Sequence, residues 1–311
     1  MMRVAIIGGG SIGVAFAIVF ARAGHAVIVQ EPDAGRRDKI LDEIAARLSE
    51  LDRHSLIREK PVTILARIEV TSEVEAAVAG TDLVQECGPE DRDLKRTIFG
   101  ELDRLTPQEA VLASASSAIP ISKVTADLPG RHRTLVAHPG NPPYLLPVIE
   151  LVPSADTDAA VVARARAFYE GCGMTVVTLG REIEGFVFNR LQGALLREAY
   201  CLVRDGIATV EEIDDIVSNG LGLRWSVIGP FETVDLNTRG GIADHARKMG
   251  PAYARMGAER GQHDPWTPDL VELVTKQRRA LTPEKDWEAR VAWRDQRLME
   301  LLAERAARSR A

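Results

Sequence analysis

Val4-Ala5-Ile6-Ile7-Gly8-Gly9-Gly10-Ser11-Ile12-Gly13 stands near the head of the chain, and Val14 to Ala21 continues it as an apolar run. Four apolar residues without alternation suit a strand buried on both faces, as in a parallel sheet. The run after Gly13 has the composition of a helix that ends at Gly24. Between them the spacing is G-x-G-x-x-G, and each glycine has its own task. Gly8 permits the tight turn, Gly10 lets a pyrophosphate approach the backbone, and Gly13 lets helix and strand pack closely. Ser11 and Ile12 open the helix, whose first N–H groups and positive dipole end suit an anion. Strand, glycine loop and helix in this order predict a dinucleotide-binding unit and a doubly wound, mainly parallel α/β sheet of the Rossmann type.

Working outward, Ala26 to Gln30 forms a second strand that ends at Glu31. A carboxylate there accepts hydrogen bonds from a ribose diol and repels a 2′-phosphate, which favours NAD over NADP. Arg36 and Arg37 follow closely and leave some room for NADP. Ala34 to Leu51 has helical periodicity with charges of both signs. Its basic residues could meet the phosphates of a bulky substrate such as coenzyme A, or the whole could be a solvated face. Ser72-Glu73-Val74-Glu75 reads as a capping box that opens a short helix, and Thr81 to Gln85 returns to strand.

Glu86-Cys87-Gly88-Pro89-Glu90 lies just past that strand, where ligands of an open parallel sheet gather. Glu90 and Lys95 admit two readings: an ordinary surface pair at a helix start, or a lysine that holds Glu90 against the cofactor's second ribose. Ala110 to Ala113 is the next strand and runs out into Ser114-Ala115-Ser116-Ser117. Hydroxyls at a strand exit can donate to a substrate oxygen. They also cap helices, and Pro120 points to one just beyond.

Thr134 to Ala137 and Val148 to Val152 are further apolar strands, joined by His138-Pro139-Gly140-Asn141-Pro142-Pro143-Tyr144-Leu145-Leu146-Pro147. Prolines do not belong in a central strand, so the chain leaves the sheet at His138 and re-enters it near Val148. If the strands turn back on each other, Glu150 reaches one ring nitrogen of His138 and leaves the other free to carry a proton. That is a general base with an orienting carboxylate. A satisfied, buried histidine beside a rim glutamate is the other reading of the same residues.

After a helix at Asp156 to Gly171 and a strand at Met174 to Thr178, the α/β alternation stops at Gly180. From Phe186 the pattern is helical: Phe186 to Asp205 closed by Gly206, a helix opened by the box Thr209-Val210-Glu211-Glu212, weaker segments, and a charged helix from about Glu284. The boundary falls near Gly185. Residues 1–185 then form a nucleotide-binding domain and 186–311 an all-helical domain for substrate and dimerisation. Helices that keep an apolar stripe after covering one another commonly pair two copies, so a homodimer is expected. In Gly222-Leu223-Arg224-Trp225 the arginine either clamps a free carboxylate bidentately or serves structurally, stacked on Trp225 or paired with an acid. Arg190 and Asn141 are further candidates for the same pocket.

The 311 residues exceed one ordinary domain, and a hydrophobic content of 45% supports a sizeable core. The net charge of -6 arises from well-mixed signs. It argues against nucleic acid or an anionic membrane as the main partner and for small-molecule chemistry. Cys87, Cys172 and Cys201 show neither C-x-x-C spacing nor an even-numbered framework, as expected of buried free thiols in a reducing cytoplasm. No metal site is expected, and no apolar run reaches the ~18 residues of a membrane span.

As a set, the glycine loop, Q-E-C-G-P-E at Gln85 to Glu90, the serine pair, His138 to Glu150 and G-F-V-F-N-R-L at Gly185 to Leu191 resemble the 3-hydroxyacyl-CoA dehydrogenase superfamily. The likeness covers Arg3 to Asn237. H-P-x-N-P-P-Y with E-L-V-P, R-L-Q after Asn189, and G-L-G-L-R-W-S-V-I-G-P-F-E-T at Gly220 to Thr233 bring it nearest a branch that oxidises free 3-hydroxy acids such as L-gulonate. W-R-D at Trp293 to Asp295 is a looser likeness. The resemblance implies NAD-dependent oxidation of a secondary alcohol β to a carboxyl group, with His138 as base and Glu150 as its orienting carboxylate. It assigns hydrogen bonds to the substrate oxygen to Ser116 and Asn189, and makes Glu90 and Lys95 the cofactor-side acid and lysine. Arg224 departs from the pattern of the acyl-CoA branch and turns the expectation towards a free carboxylate. Acyl-CoA, carnitine or hydroxy-pyridine acid chemistry are the alternatives, and a non-catalytic role as bulk protein or cofactor sensor is a third.

Overall fold

Every apolar run read as a strand enters one sheet. In the computed structural model, which describes residues 1–54, 56–261, 267–287, 289–290, 293 and 304, the strands are β1 (Arg3–Ile7), β2 (Ala26–Gln30), β3 (Ile68–Thr71), β4 (Leu83–Glu86), β5 (Val111–Ser114), β6 (Thr134–Pro139), β7 (Val148–Pro153) and β8 (Thr175–Thr178). Their order is β3-β2-β1-β4-β5-β6-β7-β8. All neighbours are parallel except β6 and β7, which run antiparallel. Between them lie α1 (Ser11–Arg22), α2 (Ala34–Arg53), α3 (Pro61–Leu65), α4 (Val74–Val78), α5 (Arg92–Leu105), α6 (Ser122–Thr125) and α7 (Ala159–Gly171).

Successive side chains of a strand point to opposite faces, so each strand feeds two cores. Val4 and Ile6 pack with Phe16 and Phe20 of α1 and Phe168 of α7. Ala5 and Ile7 pack with Ala77 and Val78 of α4 and with Phe99 and Leu102 of α5. Burial on both faces explains why β1 and β5 read as unbroken apolar runs, and it makes the sheet doubly wound.

Local expectations are corrected in several places. Ser72 does not cap α4. The helix begins one residue later than the box requires, so Glu75 falls at its second position, and Glu73, the residue before the helix, makes no side-chain cap bond. Ser72 Oγ bonds the neighbouring Glu73 carboxylate instead. The helix expected from Asp156 starts at Ala159, because Thr157 Oγ1 accepts from Ser154 N at 2.9 Å and donates to Thr134 O at 2.8 Å, which holds the preceding residues in a turn. Phe186 is not helical. Gly185 and Phe186 have φ of 73° and 49°, and α8 (Phe188–Arg204) begins only after them.

The chain divides into compact units Met1–Gly193 and Ala194–Ala311, with α8 running across the division. The described part of the second unit is helical: the remainder of α8, then α9 (Val210–Ile216), a π-helical segment Val217–Leu221, α10 (Gly222–Trp225), α11 (Pro230–Asn237), α12 (Gly241–Glu259) and α13 (Pro268–Leu281). The box at Thr209 forms as read, with Thr209 N donating to Glu212 Oε2 at 2.8 Å and Glu212 N to Thr209 Oγ1 at 3.2 Å. From Glu284 the described structure begins as a 3-10 turn, Glu284–Asp286, and the residues described beyond it, Trp287, Ala289, Arg290, Trp293 and Glu304, are helical. Most of the charged helix expected there, with Arg294 and Asp295, lies outside the described residues. No helix among the described residues is long and apolar enough to cross a membrane.

Gly13 has no room for a side chain, since a Cβ there would lie 2.0 Å from the Gly8 carbonyl oxygen. Gly13→Ala should cost about 1–3 kcal/mol of stability, seen as a lowered Tm in calorimetry. A Cβ on Gly10 meets nothing within 4 Å. Gly10→Ala should therefore melt like the parent and instead lose dinucleotide affinity, measured by titration calorimetry.

Candidate active site

The register of the sheet brings the chemistry to one edge. Ile7 lies opposite Glu86, Glu86 opposite Ser114, and Ser114 opposite Val136. Gly8, Cys87 and Ala115 each follow that row by one residue, and Ser116 and His138 by two. The parallel strands thus release their loops at the carboxyl edge, and the connections diverge on either side of β1, where a ligand crevice opens.

A cleft of about 620 Å³ lies there, lined by Gly8, Gly10, Ser11, Ile12, Glu31 and Gly88, among others. It fits a dinucleotide. Gly10 precedes α1 without a side-chain cap, so no side chain occupies the first helical N–H groups, and the space beside its Cα is open. Gly8 has φ 101°, and a Cβ on it would press within 3.0 Å of Cys87 O. Glu31 accepts from Gly9 N at 2.8 Å and Asp33 N at 3.0 Å. Arg36 Nε donates to Gly9 O at 2.6 Å and its guanidinium pairs with Glu43 at 2.7 Å. Arg37 donates to Glu31 O at 2.9 Å and Pro32 O at 3.1 Å. Both arginines therefore spend donors on their own chain, which narrows the room left for a 2′-phosphate.

Lys95 does not hold Glu90. Its ammonium is buried, 2.8 Å from both oxygens of Glu86 and 3.3 Å from Gly88 O. Glu86 is fully buried and also accepts from Gly88 N and Ser114 Oγ, each at 2.7 Å. The sequence reading passed over Glu86. Its one signal was an acid as the last residue of a strand otherwise buried on both faces, a place where a charge needs a counter-charge.

Glu90 is held from the other side. It accepts from Ser116 Oγ at 2.6 Å, Ser117 N at 3.0 Å and Ala118 N at 2.9 Å. Ser116 Oγ in turn accepts from Ile119 N at 2.8 Å. Ser116 organises this turn and does not cap α6, which has no side-chain cap. Asn189 Nδ2 donates to Ser117 O at 2.9 Å. Glu90, Ser116 and Asn189 thus share one loop cluster, with the Ser116 proton directed at Glu90.

β6 and β7 turn back on each other with His138 directly opposite Glu150. The distance from Nδ1 to Glu150 Oε2 is 2.8 Å, and both residues are buried. Glu150 Oε1 accepts from Val187 N at 2.8 Å and Phe188 N at 3.0 Å. Burial pushes the Glu150 carboxyl up, but the bond from His138 and the N–H groups of Phe188 and Val187 outweigh it and hold the group below the usual carboxylate range. No hydrogen bond to His138 Nε2 occurs among the described residues. The rings of Phe186 and Phe188 flank the imidazole at 5.4 and 6.2 Å between centroids.

Asn141 is exposed in the proline loop, joined to Pro142 by a cis peptide, and Arg190 is exposed. In the second unit, Arg224 lies in α10 with its Nε buried and without a hydrogen-bond partner among the described residues. It neither stacks on Trp225 nor pairs with an acid among those residues. All three thiols are free. Burial pushes the Cys87 thiol up, and likewise Cys172 to about 12, so neither is an activated nucleophile. The described residues contain no group of three or more His, Cys, Asp or Glu able to hold a metal ion.

A doubly wound sheet with a glycine loop at its crevice and a carboxylate-steered imidazole on the same edge defines a nucleotide-dependent dehydrogenase. Residues 3–183 match the family model described as 3-hydroxyacyl-CoA dehydrogenase, NAD binding domain, and residues 185–282 match the C-terminal domain of that enzyme. The chain belongs to the 3-hydroxyacyl-CoA dehydrogenase family, and its cofactor is NAD. It is 34% identical to the lambda-crystallin homolog of Rattus norvegicus, over 96% of this chain and 94% of that one. It is 38% identical to the L-carnitine dehydrogenase of Streptomyces coelicolor, over 85% and 80%. The crystal structure of the 3-hydroxyacyl-CoA dehydrogenase from Archaeoglobus fulgidus aligns over 97% of this chain and 99% of its own, with a TM-score of 0.74 and 27% identity.

Removing one member of the buried ion pair strands the other in the core. Lys95→Met should cost about 3–5 kcal/mol in chemical denaturation, while Glu86→Leu with Lys95→Met should recover most of that loss. Equal stability of parent and single variant would show that the pair is solvated.

Proposed function

We propose that the protein oxidises the 3-hydroxyl of a small free 3-hydroxy acid of the L-gulonate type. The observation that carries this reading is the His138–Glu150 pair, oriented through Nδ1, at the sheet edge that also holds the NAD loop. NAD, when bound, accepts the hydride. His138 Nε2 takes the hydroxyl proton, and ionised Glu150 steadies the imidazolium that results. The second amide hydrogen of Asn189 is available to the substrate oxygen. Ser116 can join it only by giving up its bond to Glu90, whose remaining lone pairs would face the second ribose. Lys95, locked to Glu86, supports the wall of the cleft and not the ligand itself.

Arg224, in the second unit, is the carboxylate-binding residue this reading expects: its buried Nε has no hydrogen-bond partner among the described residues, and such a nitrogen suits an anionic acceptor. Asn141 and Arg190 are the further polar groups assigned to the substrate. The likeness to an L-carnitine dehydrogenase agrees, carnitine being itself a free 3-hydroxy acid. The second reading is 3-hydroxyacyl-CoA oxidation, favoured by the fold match to the Archaeoglobus enzyme. A panel of free 3-hydroxy acids and CoA thioesters, read by NAD reduction, separates the two. In the free-acid reading, His138→Asn lowers turnover by about 10²–10⁴ with NAD affinity kept. Arg224→Met raises KM for the acid by about 10–100-fold. Activity confined to thioesters, or wild-type turnover in His138→Asn, would overturn it.

We further infer a homodimer formed through the helical domain, in a reducing compartment where the three thiols stay free. Along α8 no side chain is buried, and Leu191, Leu195, Leu196, Tyr200 and Val203 are exposed on it at near-helical spacing. Light scattering should give twice the chain mass, and Leu196→Asp with Tyr200→Asp should return a monomer. A parent protein that is monomeric at micromolar concentration would refute the inference.

A further inference from the structure

Gly185 and Phe186 form a turn of two consecutive left-handed residues, with φ of 73° and 49°. Glycine adopts this conformation freely, whereas a bulky aromatic residue does so only when its surroundings compel it. Phe186 is fully buried, with its ring 5.4 Å from the imidazole of His138. Strain of this kind next to a catalytic group calls for a reason.

The reason lies in what the turn does to the next two N–H groups. Those of Val187 and Phe188 both fall on Glu150 Oε1, at 2.8 and 3.0 Å, and leave Oε2 for His138 Nδ1. They are the first donors of α8, which a helix cannot satisfy from within. A carboxylate from β7 therefore caps a helix from a distant part of the chain, and the positive end of that helix favours its ionised form. An ionised carboxylate can only accept. Nδ1 must then donate to it, and the neutral imidazole keeps its lone pair on Nε2.

We propose that the Gly185–Phe186 turn sets the tautomer of His138 by way of Glu150, which makes both turn residues positioning residues for the base. A turn that relaxed to ordinary φ would carry the N–H groups of Val187 and Phe188 off Glu150. The carboxylate would lose its two anchors, and the ring would be free to place its proton on either nitrogen. The catalytic part of this inference rests on the reading of His138 as base; the tautomer itself does not.

The test uses the full-length chain labelled with ¹⁵N at its six histidines, with long-range proton–nitrogen spectra recorded where the ring is neutral. His138→Asn identifies the signal. The parent should show the proton on Nδ1. A Cβ on Gly185 would meet only Arg190 Cγ at 3.6 Å and Asn189 Cβ at 3.8 Å, ordinary contacts, so Gly185→Ala penalises the turn without crowding it. It should show a mixture of tautomers and about a tenfold loss in kcat with KM for NAD unchanged. Gly185→Asn, which tolerates the left-handed region best among other residues, should restore the parent pattern. In a Glu150→Gln background, Gly185→Ala should change nothing further.

A folded Gly185→Ala that keeps the parent's Nδ1 signal overturns the proposal. So does a Glu150→Gln protein whose His138 tautomer is that of the parent, a comparison that holds whether or not Gly185→Ala folds. A tautomer that shifts as expected in a protein that oxidises no 3-hydroxy acid would uphold the positioning role and refute the proposed reaction.

Discussion

The antiparallel return of β7 along β6 is the constraint from which the rest of the site follows. In an otherwise parallel sheet each strand brings one residue type to the carboxyl edge and then departs. Here the chain comes straight back, and the register sets Glu150 opposite His138. Two side chains twelve positions apart are thereby held 2.8 Å apart by backbone hydrogen bonds and not by their own flexible torsions. The proline-rich loop between them is what such a return needs, because it leaves the sheet without demanding ladder partners.

The same economy recurs along the edge. Each acid that matters is held by backbone N–H groups from a loop at or beside the sheet edge: Glu31 by Gly9, Glu86 by Gly88, Glu90 by Ser117 and Ala118, and Glu150 by Val187 and Phe188. Loops at strand ends leave N–H groups unsatisfied, and a carboxylate is the acceptor that tolerates burial when several converge on it. Four acids therefore do structural and chemical work at once. Each stiffens a loop; Glu31 and Glu90 keep lone pairs for whatever enters the crevice, whereas Glu86 and Glu150 give theirs to Lys95 and His138.

What was legible beforehand was local. The glycine spacing, the unbroken apolar strands and the proline-bounded His138 to Glu150 segment encode a parallel sheet, its crevice and an imidazole opposite a carboxylate. They are decided by neighbours in the chain and by the pleat. Partner choice across loops was not legible. Glu90 and Lys95 stand at a spacing that invites a pair, yet Lys95 turns inward to Glu86, because a buried strand-end carboxylate exerts a stronger demand than one at a loop surface. The serines looked like helix caps for the same reason: a hydroxyl two residues past a strand can serve a helix or a turn, and only the position of Glu90 decides. Ser72 failed as a box because the helix start slipped by one residue, which no pattern of residue types records.

The grip on Gly9 has a further consequence. Its N–H is held by Glu31 and its carbonyl by Arg36, both bonds made within the chain. A carboxylate has about four acceptor sites, and Glu31 gives two of them to Gly9 and Asp33, so a diol can be received without releasing the loop. The crevice is therefore preorganised: little conformational entropy remains to be surrendered when the nucleotide arrives, and its encounter should follow lock-and-key kinetics, with no slow rearrangement before tight association.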